Sequence, residues 1–254
     1  MQKSAVKGIE EHMKQQHFHG QAKAIKDPLG RVRYSLLPLF GAGLLYCLML
    51  VLSLAAVASD EDTEKTIVAL GDSLTAGYML EPGAGFPEQL EIWMRDQGQN
   101  VRLINAGVSG DTTQGGLSRL DWALSDAPNS KPDLVIVELG GNDMLRGIDP
   151  ARTRQNLATI IETLQARDID VLLAGLISPT NMGREFEDEF NSIYPDLAKQ
   201  YNIPLYPFFL EGVADDPDLM RVNDIHPNEK GIKVLVQNIG PHVIKALEQN
   251  SPPS

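Results

Sequence analysis

Ser73, Gly110, Asn142 and His226 are of the types that acyl transfer requires. That chemistry needs a nucleophile, a base to take its proton, and donors for the oxyanion that forms. Ser73 is the candidate nucleophile, placed after Gly71-Asp72 where the apolar run Ile67–Leu70 stops. Its N–H would open a helix, whose dipole favours negative charge. Gly110 offers a second backbone N–H with no side chain to hold a substrate off, and the Asn142 amide offers a third donor. Preorganised donors of this kind are worth about 3–4 kcal/mol each in a barrier. His226 is the candidate base. Its rival His242 follows Pro241 inside a helical segment, remote from any strand end, and reads as a packing or surface residue. Taken singly, each residue has an ordinary explanation: a helix-capping serine, a turn glycine, an Asx-turn asparagine, and a His-Pro step leading to Asn228 as N-cap.

The elements that must position these residues alternate along the chain. Strands are predicted at Thr66–Leu70, Val101–Ala106, Leu134–Leu139, Val171–Leu176 and, more weakly, Ile203–Phe209. They are nearly all apolar, as for strands covered on both faces. Between them lie segments of helical spacing. Pro150 opens one that places Leu157, Ile160, Ile161 and Leu164 on one face. Phe186, Phe190, Ile193, Tyr194, Leu197 and Tyr201 recur at three- and four-residue steps in another, and a last helix spans roughly Asn228–Gln249. Alternating β and α elements predict an open, mostly parallel α/β sheet with helices on both sides. Its ligand site lies outside the carboxyl ends of the strands. The polar clusters fall there: "GDSLTAGY" after the first strand, "NAGVSGDTT" after the second, "LGGNDMLRG" after the third, and "NDIHPNEKG" before the last helix.

These four blocks, in this order, resemble the GDSL or SGNH hydrolase family, most closely its bacterial arylesterase, acyl-thioesterase and lysophospholipase branch. The resemblance covers roughly Thr66–Leu247. It implies a flavodoxin-like three-layer α/β/α fold with a five-stranded sheet. It implies Ser73 as nucleophile, His226 as base, and an oxyanion hole of the Ser73 N–H, Gly110 and Asn142. The chain departs from the family at the third triad member. The family's acid stands three residues before the histidine, where this chain has Asn223; the nearby carboxylate is Asp224, two residues before. Three readings stay open: Asp224 orients His226 after a one-residue slip, the Asn223 amide oxygen does so, or the enzyme is impaired.

The remaining sequence bounds location and partners. From Ser35 to Ala58 there is no charged residue, a length that can cross a bilayer. Seven Lys/Arg and three acids precede it, and Ala56-Val57-Ala58 closes it ahead of an acidic stretch. That order is the layout of a secretory signal. The competing reading is an uncleaved anchor of the same orientation, with membrane contact only through residues 35–58. The chain therefore divides at 58/59 into this leader and a hydrolase domain that is exported, periplasmic or secreted. The net charge is −12; residues 1–58 carry +4, so the rest carries −16. Such a domain repels nucleic acid and anionic surfaces. The single cysteine, Cys47, lies in the apolar segment. No HExxH or Cys/His spacing is present, so no metal and no cofactor are expected. The expectation is a monomeric serine esterase acting on small acyl or aryl esters, with acyl-thioesters and lysophospholipids as further substrates. A carbohydrate deacetylase of the same superfamily and a catalytically impaired binding module are the alternatives.

Overall fold

The computed structural model describes residues 25–26, 32–33, 63–222 and 224–249. Contacts divide the chain into two units, Met1–Glu61 and Asp62–Ser254. In the first, Ile25–Lys26 pairs antiparallel with Val32–Arg33. The apolar segment at 35–58, the boundary at 58/59 and Asn223 lie outside the described residues.

The second unit is built on β1 (Lys65–Gly71), β2 (Val101–Gly107), β3 (Leu134–Glu138), β4 (Asp170–Ala174) and β5 (Leu205–Tyr206). They form one five-stranded sheet in the order β2-β1-β3-β4-β5, with every neighbouring pair parallel. The central strands β1 and β3 are buried almost throughout, as their apolar runs require. β2 is different: at the sheet edge it exposes Arg102 and Asn105, so its polar residues face water without breaking the ladder. The fifth strand is shorter than the predicted Ile203–Phe209. Pro204 and Pro207 flank its two residues, and a proline has no N–H to give a ladder.

The helices are α1 (Ser73–Ala76), α2 (Phe86–Asp96), α3 (Thr113–Ser118), α4 (Leu120–Leu124), α5 (Gly141–Leu145), α6 (Pro150–Gln165), α7 (Arg184–Tyr201) and α8 (Glu229–Glu248). α6, α7 and α8 follow the predicted periodicity, with Pro150 in the first turn of α6 and Asn228 capping α8 through Lys230 N and Gly231 N. α2 has no counterpart among the predicted helices, although it buries Phe86, Leu90 and Met94. Full burial of such side chains stabilises by about 1.5–3 kcal/mol each. α2 packs with α8, and α6 packs with α3 and α7, giving the helical layers of an α/β/α sandwich.

The strand order itself creates the site. From β1 the chain passes to the edge at β2 and then crosses back to β3 on the other side of β1. Gly71 ends β1 in register with Gly107 of β2 and Glu138 of β3. The three following loops therefore leave the sheet side by side at a topological switch point, where open α/β sheets leave a crevice.

Candidate active site

The turn after β1 carries Asp72 and Ser73. Asp72 caps α1, its Oδ1 accepting from Leu74 N at 3.0 Å. Ser73 is thus the first helical residue, and its N–H is one that no helical carbonyl can pair. Gly71 permits this close packing: a Cβ there would overlap the Thr75 hydroxyl and lie 2.8 Å from Glu138 Oε2. α1 ends at Gly77 in the left-handed region (φ 73°), and Met79 is also left-handed (φ 56°).

The loop before α8 brings the base to this serine. His226 Nε2 lies 2.8 Å from Ser73 Oγ, and His226 Nδ1 lies 2.6 Å from Asp224 Oδ1. With a carboxylate at Nδ1, the neutral ring carries its proton there and turns the Nε2 lone pair toward the hydroxyl. Asp224 Oδ1 also accepts from Ile225 N at 2.7 Å, and Oδ2 accepts from Arg221 Nε at 3.2 Å. The hydrogen bond from His226 is the main reason that the Asp224 carboxyl sits below its ordinary range. The loop closes on itself through Arg221 N donating to His226 O at 2.9 Å. Tyr78 leans on the imidazole, with ring centroids 4.9 Å apart at a 43° tilt.

The two other donor candidates arrive on the neighbouring loops. Asn142, at the start of α5, donates from Nδ2 to Asp72 Oδ2 at 2.9 Å, which ties it to the residue before Ser73 and leaves its second amide hydrogen for a ligand. Asp143 anchors that helix: buried, it accepts from Thr113 N (2.8 Å), Thr113 Oγ1 (2.6 Å) and Thr153 Oγ1 (3.3 Å). Gly110 follows β2 with φ 85°, a conformation that favours glycine, and its carbonyl accepts from Arg146 Nη2 at 2.7 Å. Arg119 holds the base of this loop, donating to Asp111 Oδ2 (2.6 Å), Ala106 O (2.8 Å) and Gly71 O (2.9 Å).

Beneath Ser73 lie two buried carboxyl groups. Burial raises Asp72, against hydrogen bonds from Leu74 N and Asn142 that lower it. Burial and the Asp72 charge push Glu138 well above the usual carboxylate range. Of the two, Glu138 is held further above that range. Thr75 Oγ1 donates to Oε2 at 2.9 Å and opposes that rise, while buried Oε1 has no partner among the described residues.

Ser73, His226 and Asp224 are brought into direct contact, and Asn142 joins them through Asp72. Gly110 stands on the adjacent loop. His242 lies elsewhere, against Tyr206 at 5.1 Å between ring centroids. The sequence reading missed Arg221, Tyr78, Asp143 and Glu138, and took Asp72 for turn chemistry alone. An acid closing the otherwise apolar run Leu134–Glu138 was the available signal for Glu138; nothing in local spacing marks Arg221.

Residues 69–234 match the GDSL-like lipase/acylhydrolase family. The chain is 38% identical over 195 residues to the esterase TesA of Pseudomonas aeruginosa, covering 77% of this chain and 93% of that protein. It is 40% identical over 184 residues to thioesterase 1/protease 1/lysophospholipase L1 of Escherichia coli K12, covering 72% of this chain and 83% of that one. Among solved structures, the SGNH-hydrolase family esterase AlinE4 superposes with a TM-score of 0.61 at 51% identity, covering 72% of this chain and 97% of that one.

Proposed function

Because this chain belongs to the GDSL-like lipase/acylhydrolase family and shares its fold with ester hydrolases, we propose that it cleaves small acyl or aryl esters through an acyl-enzyme on Ser73. Acyl-thioesters and lysophospholipids extend the same chemistry to related leaving groups. The observation that carries this reading is the unbroken hydrogen-bond chain from Ser73 Oγ through His226 to Asp224.

In the proposed mechanism His226 Nε2 takes the Ser73 proton as Oγ attacks the ester carbonyl. Asp224 stabilises the imidazolium and holds its Nδ1–H. The oxyanion is received by the Ser73 N–H, the Gly110 N–H and the free Asn142 amide hydrogen. His226 then protonates the departing alcohol or thiol, and water repeats the sequence to release the acid. On this reading the Asp72–Asn142 bond keeps the amide aimed at the site.

The test is a rapid-mixing assay with p-nitrophenyl acetate, followed by esters of graded chain length. A p-nitrophenol burst proportional to enzyme, absent in a folded Ser73→Ala protein, is expected. Unchanged turnover in that variant would overturn the serine mechanism. Absence of any burst or turnover in the wild type would return the binding-module alternative.

We also propose that residues 1–58 direct export, with cleavage after Ala58, and that the released domain is monomeric. The support is the basic, apolar, small-x-small, acidic order of the sequence.

A further inference from the structure

We propose that Arg221 is a positioning residue for the reaction, fixing the displaced acid Asp224 to the nucleophile side of the site; this rests on the serine-hydrolase reading above. Asp224 stands two residues before His226 and has to turn back to reach Nδ1. Its Oδ1 serves both His226 Nδ1 and Ile225 N. Oδ2 has one partner among the described residues, Arg221 Nε at 3.2 Å. The carboxylate is a quarter exposed, with side-chain exposure of 25%. Its terminal torsion is a soft one, so a second anchor decides whether Oδ1 stays on the imidazole.

Arg221 is built to be that anchor. Its backbone is fastened at both atoms within the same loop, the N–H to His226 O at 2.9 Å and the carbonyl to Asp224 N at 3.2 Å. Its guanidinium then spans to the turn after the nucleophile helix, with Nη1 donating to Met79 O at 2.9 Å and Nη2 reaching Met79 Sδ at 3.5 Å. One planar group thus joins the loop bearing acid and base to the segment that follows Ser73. The fork of arginine serves two acceptors at once in fixed geometry; a lysine ammonium, as a point donor on a flexible stem, would hold one of them in place. With Asp224 carrying negative charge, the Nε contact is charge-assisted and resists rotation better than a neutral bond.

The test combines steady-state kinetics on p-nitrophenyl acetate with proton NMR of the far-downfield His226 Nδ1–H signal. The proteins are wild type, Arg221→Gln, Arg221→Lys, Asp224→Ala and the Arg221→Gln/Asp224→Ala double variant. Arg221→Gln should lower kcat by roughly 10- to 100-fold, the scale of a small misplacement of a reacting group. KM should change less than about twofold, because the loss falls on the transition state. Arg221→Lys should recover part of kcat. In the Asp224→Ala background the Arg221→Gln change should cost less than about threefold, since a residue acting through Asp224 has nothing left to act on. The Nδ1–H signal should broaden or vanish in Arg221→Gln. An equal kcat loss in both backgrounds, or a kcat and proton signal unchanged from wild type, would overturn the proposal. If Arg221→Gln does not fold, full kcat and an unchanged signal in Arg221→Lys would do so. An inactive wild type would sink the hydrolase reading instead, while the proton signal would still decide the role of Arg221.

Discussion

Asp224 reaches the imidazole from a position where the family spacing would place no acid, and that contact sets the expectation at the scale of single residues. Asp224→Ala should lower kcat by orders of magnitude, up to about the 10⁴-fold seen when a triad acid loses its charge. Asn223→Ala should be mild by comparison in the same assay; the reverse ranking would mean that an amide orients the base. Glu138 gives an opposite electrostatic case. Asp224 lies below its ordinary range, so its contribution to stability is full above the unfolded value and is lost as pH falls through the folded one. Glu138 is pushed up by burial and by Asp72, so its contribution is full below the unfolded carboxyl value of about 4.3 and declines as pH rises toward the folded one. Glu138→Gln mimics the protonated carboxyl. Urea unfolding should find this variant gaining on wild type as pH rises above the unfolded carboxyl value. A difference independent of pH would mean that Glu138 is not held protonated.

At the scale of elements, the catalytic loop depends on the helix it leads into. Asn228 caps α8 with Oδ1 while its Nδ2 donates to Asp218 O at 2.9 Å and Met220 O at 3.1 Å. The residue therefore fastens the helix start and the strand-like bridge Met220–Pro227, which brackets the loop from Arg221 to His226. Asn228→Ala should destabilise by about 1–2 kcal/mol in urea unfolding, through the lost cap and the two orphaned carbonyls. It should also lower kcat more than it raises KM, because His226 lies two positions before the cap. An unaltered unfolding midpoint would mean that water replaces the side chain at little cost. The same logic accounts for the opposite side of the crevice, where Asp143 and Arg119 hold the loops that present Asn142 and Gly110.

For the whole molecule, charge and the proposed export make the expectations. The chain after residue 58 carries −16, which opposes self-association at low salt. Sedimentation of the domain beginning at Ser59 should give a single species of monomer mass from low to high concentration; a mass that doubles with concentration would refute this. N-terminal sequencing of the exported protein should begin near Ser59. An intact chain in the membrane fraction would establish the anchor instead.

How much was legible in the sequence differs by the range of the interaction involved. The buried strands β1, β3 and β4 and the helices α6, α7 and α8 could be read because their apolar spacing is local and periodic. Ser73, Gly110, Asn142 and His226 could be read because each lies in a block whose order along the chain carries the resemblance. The shortness of β5 was also present in Pro204 and Pro207, though its apolar run suggested a longer strand. The tertiary structure alone decided that the Asp224 carboxylate meets His226 Nδ1. A one-residue offset along a loop turns a side chain well away unless the backbone adjusts, and here the ends of the loop are joined by the bond from Arg221 N to His226 O. It alone placed Arg221 against Met79, 142 residues earlier, and Glu138 beneath Asp72. Contacts between distant segments leave no periodic trace in either segment, so local spacing determined the elements and the sheet order determined the partners.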